Sequence, residues 1–254
     1  MKQRLIEEVM VKRAIRHAIQ RGLVGLGLVG SLLIPSIALA MQERVKIGQA
    51  AGAFSMDKTE VTVAQFRAYA EREGMVTAAE REGGGFEYRL GWQRRAGWTY
   101  QTPFGAAAAD DEPAVHVSWH EARAYCQAAG GDLPNREQWE KAAYQETRIN
   151  PPSPFETGEI YDYPTGIVSD EANTVGDEDG WERHAPVGRF APGVNGLFDM
   201  GANAWEWLLD ANADERLTAG GSWWYGPSKM KASGMQYKAA DFYAVYVGFR
   251  CVYP

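Results

Sequence analysis

Pro113-Ala-Val-His-Val-Ser-Trp-His-Glu-Ala-Arg-Ala-Tyr-Cys-Gln-Ala-Ala-Gly-Gly-Asp-Leu-Pro134 carries the densest structural punctuation in the chain. Ser118-Trp-His-Glu121 is a capping box, in which the hydroxyl and the carboxylate each take a backbone N–H that the first helical turn leaves free. From there Ala122, Cys126 and Ala129 lead to the stop at Gly130-Gly131, while Val115-His-Val117 just before the box alternates like a short strand. Upstream, Thr62-Val-Ala-Gln65 opens a helix through about Glu73 with Val63, Phe66 and Ala70 on one side. Downstream, Asn135-Arg-Glu-Gln138 opens a third, with Trp139 and Ala143 inward until about Gln145. Residues 146–220 hold turns (Asn150-Pro-Pro-Ser-Pro154, Tyr163-Pro-Thr-Gly166, Pro192-Gly-Val-Asn-Gly196) and little periodicity, so something other than regular structure must hold them. Strand character returns over Tyr243–Val252. The pattern predicts one α+β domain with a large irregular fraction.

Composition agrees. The 254 residues are 45% hydrophobic and 23% charged, with 28 glycines, 9 tryptophans and 12 tyrosines, a loop-rich make-up that large rings can staple. A net charge of −7 argues against a nucleic-acid partner, which needs a basic face. The first 40 residues run against that average: Lys2, Arg4, Lys12, Arg13, Arg16 and Arg21 oppose only Glu7 and Glu8. They lead into Leu23–Ala40, an apolar run broken by Pro35 and ending in Ala38-Leu39-Ala40, small residues that suit a signal peptidase. Residues 1–40 are read as a signal peptide, with Met10 as an alternative start, and 41–254 as the mature domain. An uncleaved anchor is the other reading, but three glycines, two serines and a proline make this a poor permanent span. No twin arginine precedes the run, so the general secretory route and a periplasmic location are expected. In that compartment Cys126 and Cys251 favour pairing, worth about 4–5 kcal/mol on a loop-entropy basis; two buried thiols are the alternative.

Pro113-Ala-Val-His-Val-Ser-Trp119, Ala124-Tyr-Cys126, Leu133-Pro134 with Trp139-Glu140, Gly196-Leu-Phe-Asp-Met200, Asn203-Ala-Trp-Glu-Trp207, Gly220-Gly-Ser222 and Gly248-Phe-Arg-Cys251 follow one another in the order of the formylglycine-generating-enzyme (sulfatase-modifying factor) family, which the chain resembles from about residue 45 onward. The opening helix from Glu60 to Phe66 resembles it too. The resemblance implies a single α+β domain related to C-type lectins, with Cys126 and Cys251 at a structural disulfide of the family. It also implies structural calcium, which takes six to eight oxygens. One site would use the Asn173 side chain, the Thr174 carbonyl, Asp179 and the Trp181 carbonyl. A second would use Asp199 and Glu206 with the carbonyls of Ala202 and Ala204. A solvated acidic turn at Asp177-Glu-Asp-Gly180 and an outward Glu206 are the plain alternatives.

The family's copper chemistry needs two thiolates after Gly-Gly-Ser, because soft Cu(I) selects sulfur. Tyr225 and Met230 occupy those positions here, so copper and sulfatase activation are not expected. His116 and His120 should not share a face, and Ser222 lacks an evident relay. The equivalent cleft keeps Ser222, Trp223, Tyr225, Met230 and Trp98, a wall suited to a flat ring, although Trp223 reads equally as core. Tyr225 and Ser222 stand as catalytic candidates, and Trp98, Trp223 and Met230 as substrate-binding ones. A periplasmic member of this family without the catalytic cysteines resembles the pyoverdine-maturation type. That resemblance implies an oxidoreductase acting on a peptide-derived small molecule, a siderophore whose dihydro chromophore becomes the aromatic fluorophore. The base such a step needs is left among Tyr225, Glu87 and Asp241. A non-catalytic ligand-binding or accessory protein on the same fold is the alternative.

Overall fold

Three capping boxes set the helices. In the computed structural model, which describes residues 42–176 and 178–254, Thr62, Ser118 and Asn135 each accept from the backbone N–H three residues on, and Gln65, Glu121 and Gln138 reach back to the cap. They start α1 (Val63–Glu73), α3 (Trp119–Ala128) and α4 (Arg136–Tyr144). Between the first two, Thr77 and Glu80 form a fourth box on the single turn α2 (Ala78–Arg81). The anticipated signal peptide lies outside the described residues. Among the described residues no helix is long and apolar enough to cross a membrane.

The strands form small separate sheets. β1 (Arg44–Ile47), β2 (Phe54–Asp57) and β9 (Val252–Tyr253) make an antiparallel set in that order. β3 (Gly84–Tyr88) and β4 (Trp92–Ala96) form a hairpin. The largest sheet has the order β7-β6-β5-β8, from β5 (Trp205–Asn212), β6 (Glu215–Ala219), β7 (Gln236–Ala239) and β8 (Val247–Gly248), with β7 at one edge. The fold is α+β with few helices.

Two expectations about local structure need correcting. Val115–Val117 is not a strand: His116 sits at φ 58°, and that left-handed residue breaks the extended run. Residues 146–220 are not all loop, because β5 and β6 both fall inside them. Trp205, Glu206, Trp207 and Leu208 are all buried, so β5 shows no polar–apolar alternation to read.

Rings and buried polar clamps replace regular structure elsewhere. Phe66 of α1 meets Tyr100 edge-on at 4.8 Å, Tyr125 of α3 at 5.9 Å and Phe249 at 6.0 Å. Cys126 of α3 is bonded to Cys251, with an S–S distance of 1.98 Å, and neither sulfur is left as a thiol. In the irregular half, Asn195 Nδ2 donates to the carbonyls of Ala142 and Gln145 at 2.8 Å each, and buried Glu146 accepts from Asn195 N and pairs with Arg148 at 2.6 Å. Buried amides that find such partners hold a loop as firmly as a ladder does.

Candidate functional site

β6 leaves the sheet through Gly220 and Gly221, at φ 90° and 80°. A Cβ on Gly220 would lie 2.8 Å from the Met200 carbonyl oxygen, so only glycine lets the turn pass. The turn delivers Ser222, Trp223 and Tyr225 to one wall: Tyr225 N donates to the Ser222 carbonyl (2.9 Å) and Trp223 N to that of Asn203 (3.0 Å). Tyr225 is half-buried, its ring 5.5 Å from Trp205 and 6.5 Å from Tyr246. Trp223 is 6.2 Å from Tyr246 and 6.0 Å from Phe104, which in turn meets Trp98 at 5.6 Å. Trp98, Trp223 and Tyr225 therefore belong to one continuous run of rings. Trp92, half-exposed on the β3–β4 hairpin, extends it through Tyr246 at 5.9 Å.

Met230 is apart from that run. It is buried with Ala172 and Ala202 beside Tyr163, and its carbonyl accepts from the Tyr144 hydroxyl (2.8 Å). Its side chain fills the space over Gly201, where a Cβ would come within 2.6 Å of the Met230 methyl. Grouping Met230 with the ring-binding residues is thus corrected: it is packing.

The wall holds unpaired polar atoms. Ser222 Oγ, Trp223 Nε1, Trp205 Nε1 and the Tyr246 hydroxyl are buried without a hydrogen-bond partner among the described residues. Such groups cost free energy unless water or a ligand supplies partners. Tyr225's phenol is pushed up by burial and by the neighbouring Tyr88, so it stays protonated at neutral pH. Glu87 is tied to Arg89 and Arg95, and Asp241 lies in solvent opposite His120. None of these three is a poised base.

Two histidines lie behind the rings. His116 Nε2–H donates to the Pro103 carbonyl (3.0 Å), and Nδ1 abuts Gly85, whose added Cβ would sit 2.1 Å away. Burial depresses its pKa to about 4, so it is a neutral packed ring. His184, which no local pattern flagged, sits 5.0 Å from Phe104 with Nε2 2.7 Å from Glu112 Oε2. Burial raises the Glu112 pKa, but the bonds from His184 and the Ala109 N–H outweigh it and hold the carboxyl below its usual range.

The first calcium set has one feature that fits an ion. Asn173 Oδ1 is buried and unpaired while Nδ2 donates to the Arg183 carbonyl (2.8 Å) and Asn203 Oδ1 (3.1 Å), which fixes the amide with its free oxygen turned away from both. Asp179 Oδ1 accepts from Trp181 N (2.8 Å). The second set is arranged differently. Glu206 Oε1 accepts from Arg250 Nε (2.8 Å) and Oε2 from Trp139 Nε1 (2.8 Å), while Asp199 Oδ2 accepts from Gly188 N (2.6 Å). Glu60 joins them, accepting from Asn203 Nδ2 (2.8 Å) and Ala204 N (3.0 Å). Burial raises all three acids, Asp199 to about 6, neighbouring carboxylates push Glu60 and Asp199 up further, and Arg250 is the cation set against them among the described residues. This set supplies surplus negative charge for a divalent ion, but not a free Glu206. Among the described residues no group of three or more acids, histidines or cysteines is placed so that it could hold a metal ion.

Known proteins share this framework. The chain is 28% identical over 251 residues to the formylglycine-generating enzyme of Thermomonospora curvata, covering 78% of this chain and 81% of that protein. It is 27% identical over 243 residues to the Bos taurus formylglycine-generating enzyme, of which it spans 65%. The structure of PvdO from Pseudomonas aeruginosa superposes with a TM-score of 0.58 over 83% of this chain and 90% of that one, at 17% identity, a likeness of fold. The sulfatase-modifying factor enzyme 1-like domain matches residues 35–254, and the protein belongs to that family.

Proposed function

We propose that the protein oxidises the dihydro chromophore of a peptide siderophore of the pyoverdine type to its aromatic form, in the periplasm after export by the general secretory route. The observation that carries this reading is the half-buried Tyr225 ring, at the family's copper-thiolate position, set against Trp205 and Tyr246 beside unpaired Ser222 Oγ. A flat conjugated ring stacks on such a wall, and its heteroatoms supply the missing hydrogen-bond partners. Both cysteines are bonded to each other, so copper held by a thiolate pair is outside this chemistry. The balance is simple: the dihydro ring gives up two electrons and two protons, dioxygen accepts them, and hydrogen peroxide leaves.

Calcium belongs to the proposal as a structural ion, with Asn173 Oδ1, Asp179 and the Thr174 and Trp181 carbonyls as its first set and Asp199 with the Ala202 and Ala204 carbonyls as the core of a second. Incubating the purified domain with the dihydro precursor in air tests the reaction. Fluorescence, the loss of two hydrogens by mass spectrometry and stoichiometric peroxide are expected. Saturable binding without product would instead make the protein an accessory ligand binder.

A further inference from the structure

The oxidation reading requires a proton acceptor near the bound ring, and none of the residues that the sequence nominates can serve. The edge strand β7 carries another candidate. Lys238 is half-buried, with Nζ 4.2 Å over the Trp205 ring, the same ring that Tyr225 meets at 5.5 Å. Thr218 Oγ1 donates to the Gln236 carbonyl (2.9 Å), so its lone pair is free to receive one Lys238 N–H (2.7 Å). That single bond fixes the amine. No carboxylate pairs with it among the described residues. The charged groups that share its face on the elements packed around it are cations, Lys229 on the turn after Tyr225 and Arg216, which stands opposite Lys238 in the β6–β7 register, while Glu206 and Asp210 of β5 lie on the other face. Glu215 alternates to the other face of the strand.

An amine buried without an acid and beside another lysine is driven toward its neutral form, against the pull of the indole face beneath it for the ammonium. Burial and Lys229 lower the pKa to about 7. A base poised near the working pH is what proton abstraction requires.

We propose that Lys238, held against Trp205 beside Tyr225, is the base of this site. This rests on the oxidation reading above. A C–H or N–H bond of the dihydro ring breaks and its proton goes to the Nζ lone pair, forming the ammonium. The electron pair left on the ring and the second hydrogen pass to dioxygen as two electrons and one proton, forming hydroperoxide anion. That anion then takes the proton back from the ammonium, giving hydrogen peroxide and restoring the amine.

The test uses Lys238→Met, which keeps the apolar stem, and Lys238→Arg, which keeps a long basic side chain but stays protonated and cannot accept a proton. Both should lower kcat at pH 8 by about 100-fold or more with KM little changed, and wild-type kcat should fall about tenfold per pH unit below 7. Near-ultraviolet circular dichroism of both variants controls for misfolding. Trace acetylation across pH, read peptide by peptide, should place the Lys238 amine near 7 and exposed lysines several units higher. Wild-type rates in the folded variants, or Lys238 titrating with the surface lysines, overturns the base role alone. No product from the wild type overturns the oxidation reading and the base with it.

Discussion

Two buried polar regions lie next to each other in this molecule, and they are finished to different degrees. Around Arg250 most strong groups are answered: the guanidinium bonds Glu206 and the Phe198 carbonyl, Glu60 takes Asn203 and Ala204, and Asp57 accepts from Cys251 N–H with one oxygen, its other left open. Along the ring wall, Ser222, Trp223, Trp205 and Tyr246 keep polar atoms unanswered. The first arrangement fixes where β2, β5 and β8 meet the irregular half; the second leaves bonding capacity for something from outside. A fold that satisfies its polar groups in one place and leaves them open in another separates its scaffold from its site.

The sharpest way to break the contrast is Arg250→Met, which strands Glu206, Glu60 and Asp199 without their cation. Urea unfolding should show a loss of about 3–5 kcal/mol, because removing one partner of a buried pair leaves the other uncompensated. Replacing Cys126 and Cys251 together by serine should cost about 2–5 kcal/mol in the same measurement, since the bond closes a long loop between α3 and β9.

Asp57 gives a pH signature of the scaffold. Burial raises its carboxyl to about 6, against the bonds from Cys251 N–H and Tyr253 and the charges of Arg250 and Arg44. Because the folded value is the higher one, its contribution to stability is full below about pH 4 and is lost as pH rises through 6. The ceiling is about 3 kcal/mol for a shift of about two units. The difference between wild type and Asp57→Asn, measured from pH 4 to 7, should trace that loss. Chelation comes next: removing the proposed calcium should lower the melting temperature by an amount equivalent to about 2–3 kcal/mol where free calcium stood about a hundredfold above its Kd, and Asn173→Ala should shrink the effect. The smallest change belongs to the wall. Ser222→Ala should alter stability by under about 0.5 kcal/mol, because no bond is lost, while weakening ring binding about tenfold in fluorescence titrations.

What could be read in the sequence was local or motif-bound. The boxes at Thr62, Ser118 and Asn135 act over three residues, so their helices follow from adjacent letters. Thr77-Ala-Ala-Glu80 carries the same signal for one turn, too short to stand out by periodicity. The ordered motifs gave the ring wall, but Met230 shares a motif position without sharing the space, since side-chain direction after a 3₁₀ turn is set by packing against Gly201. His184 meets Glu112 across 72 residues, and Glu60 meets Asn203 across 143. Lys238 looks like any strand lysine until β5 brings Trp205 beneath it. Partners that distant leave no spacing to read.

β7 closes the large sheet with four residues and hydrogen-bonds a neighbour on one side only. Short marginal strands unzip at far lower free energy than a core does. The dryness around Lys238 is therefore only as durable as the β6–β7 pairing. Warming or dilute urea should hydrate and recharge that amine well before the aromatic core melts, and activity should fade ahead of global unfolding.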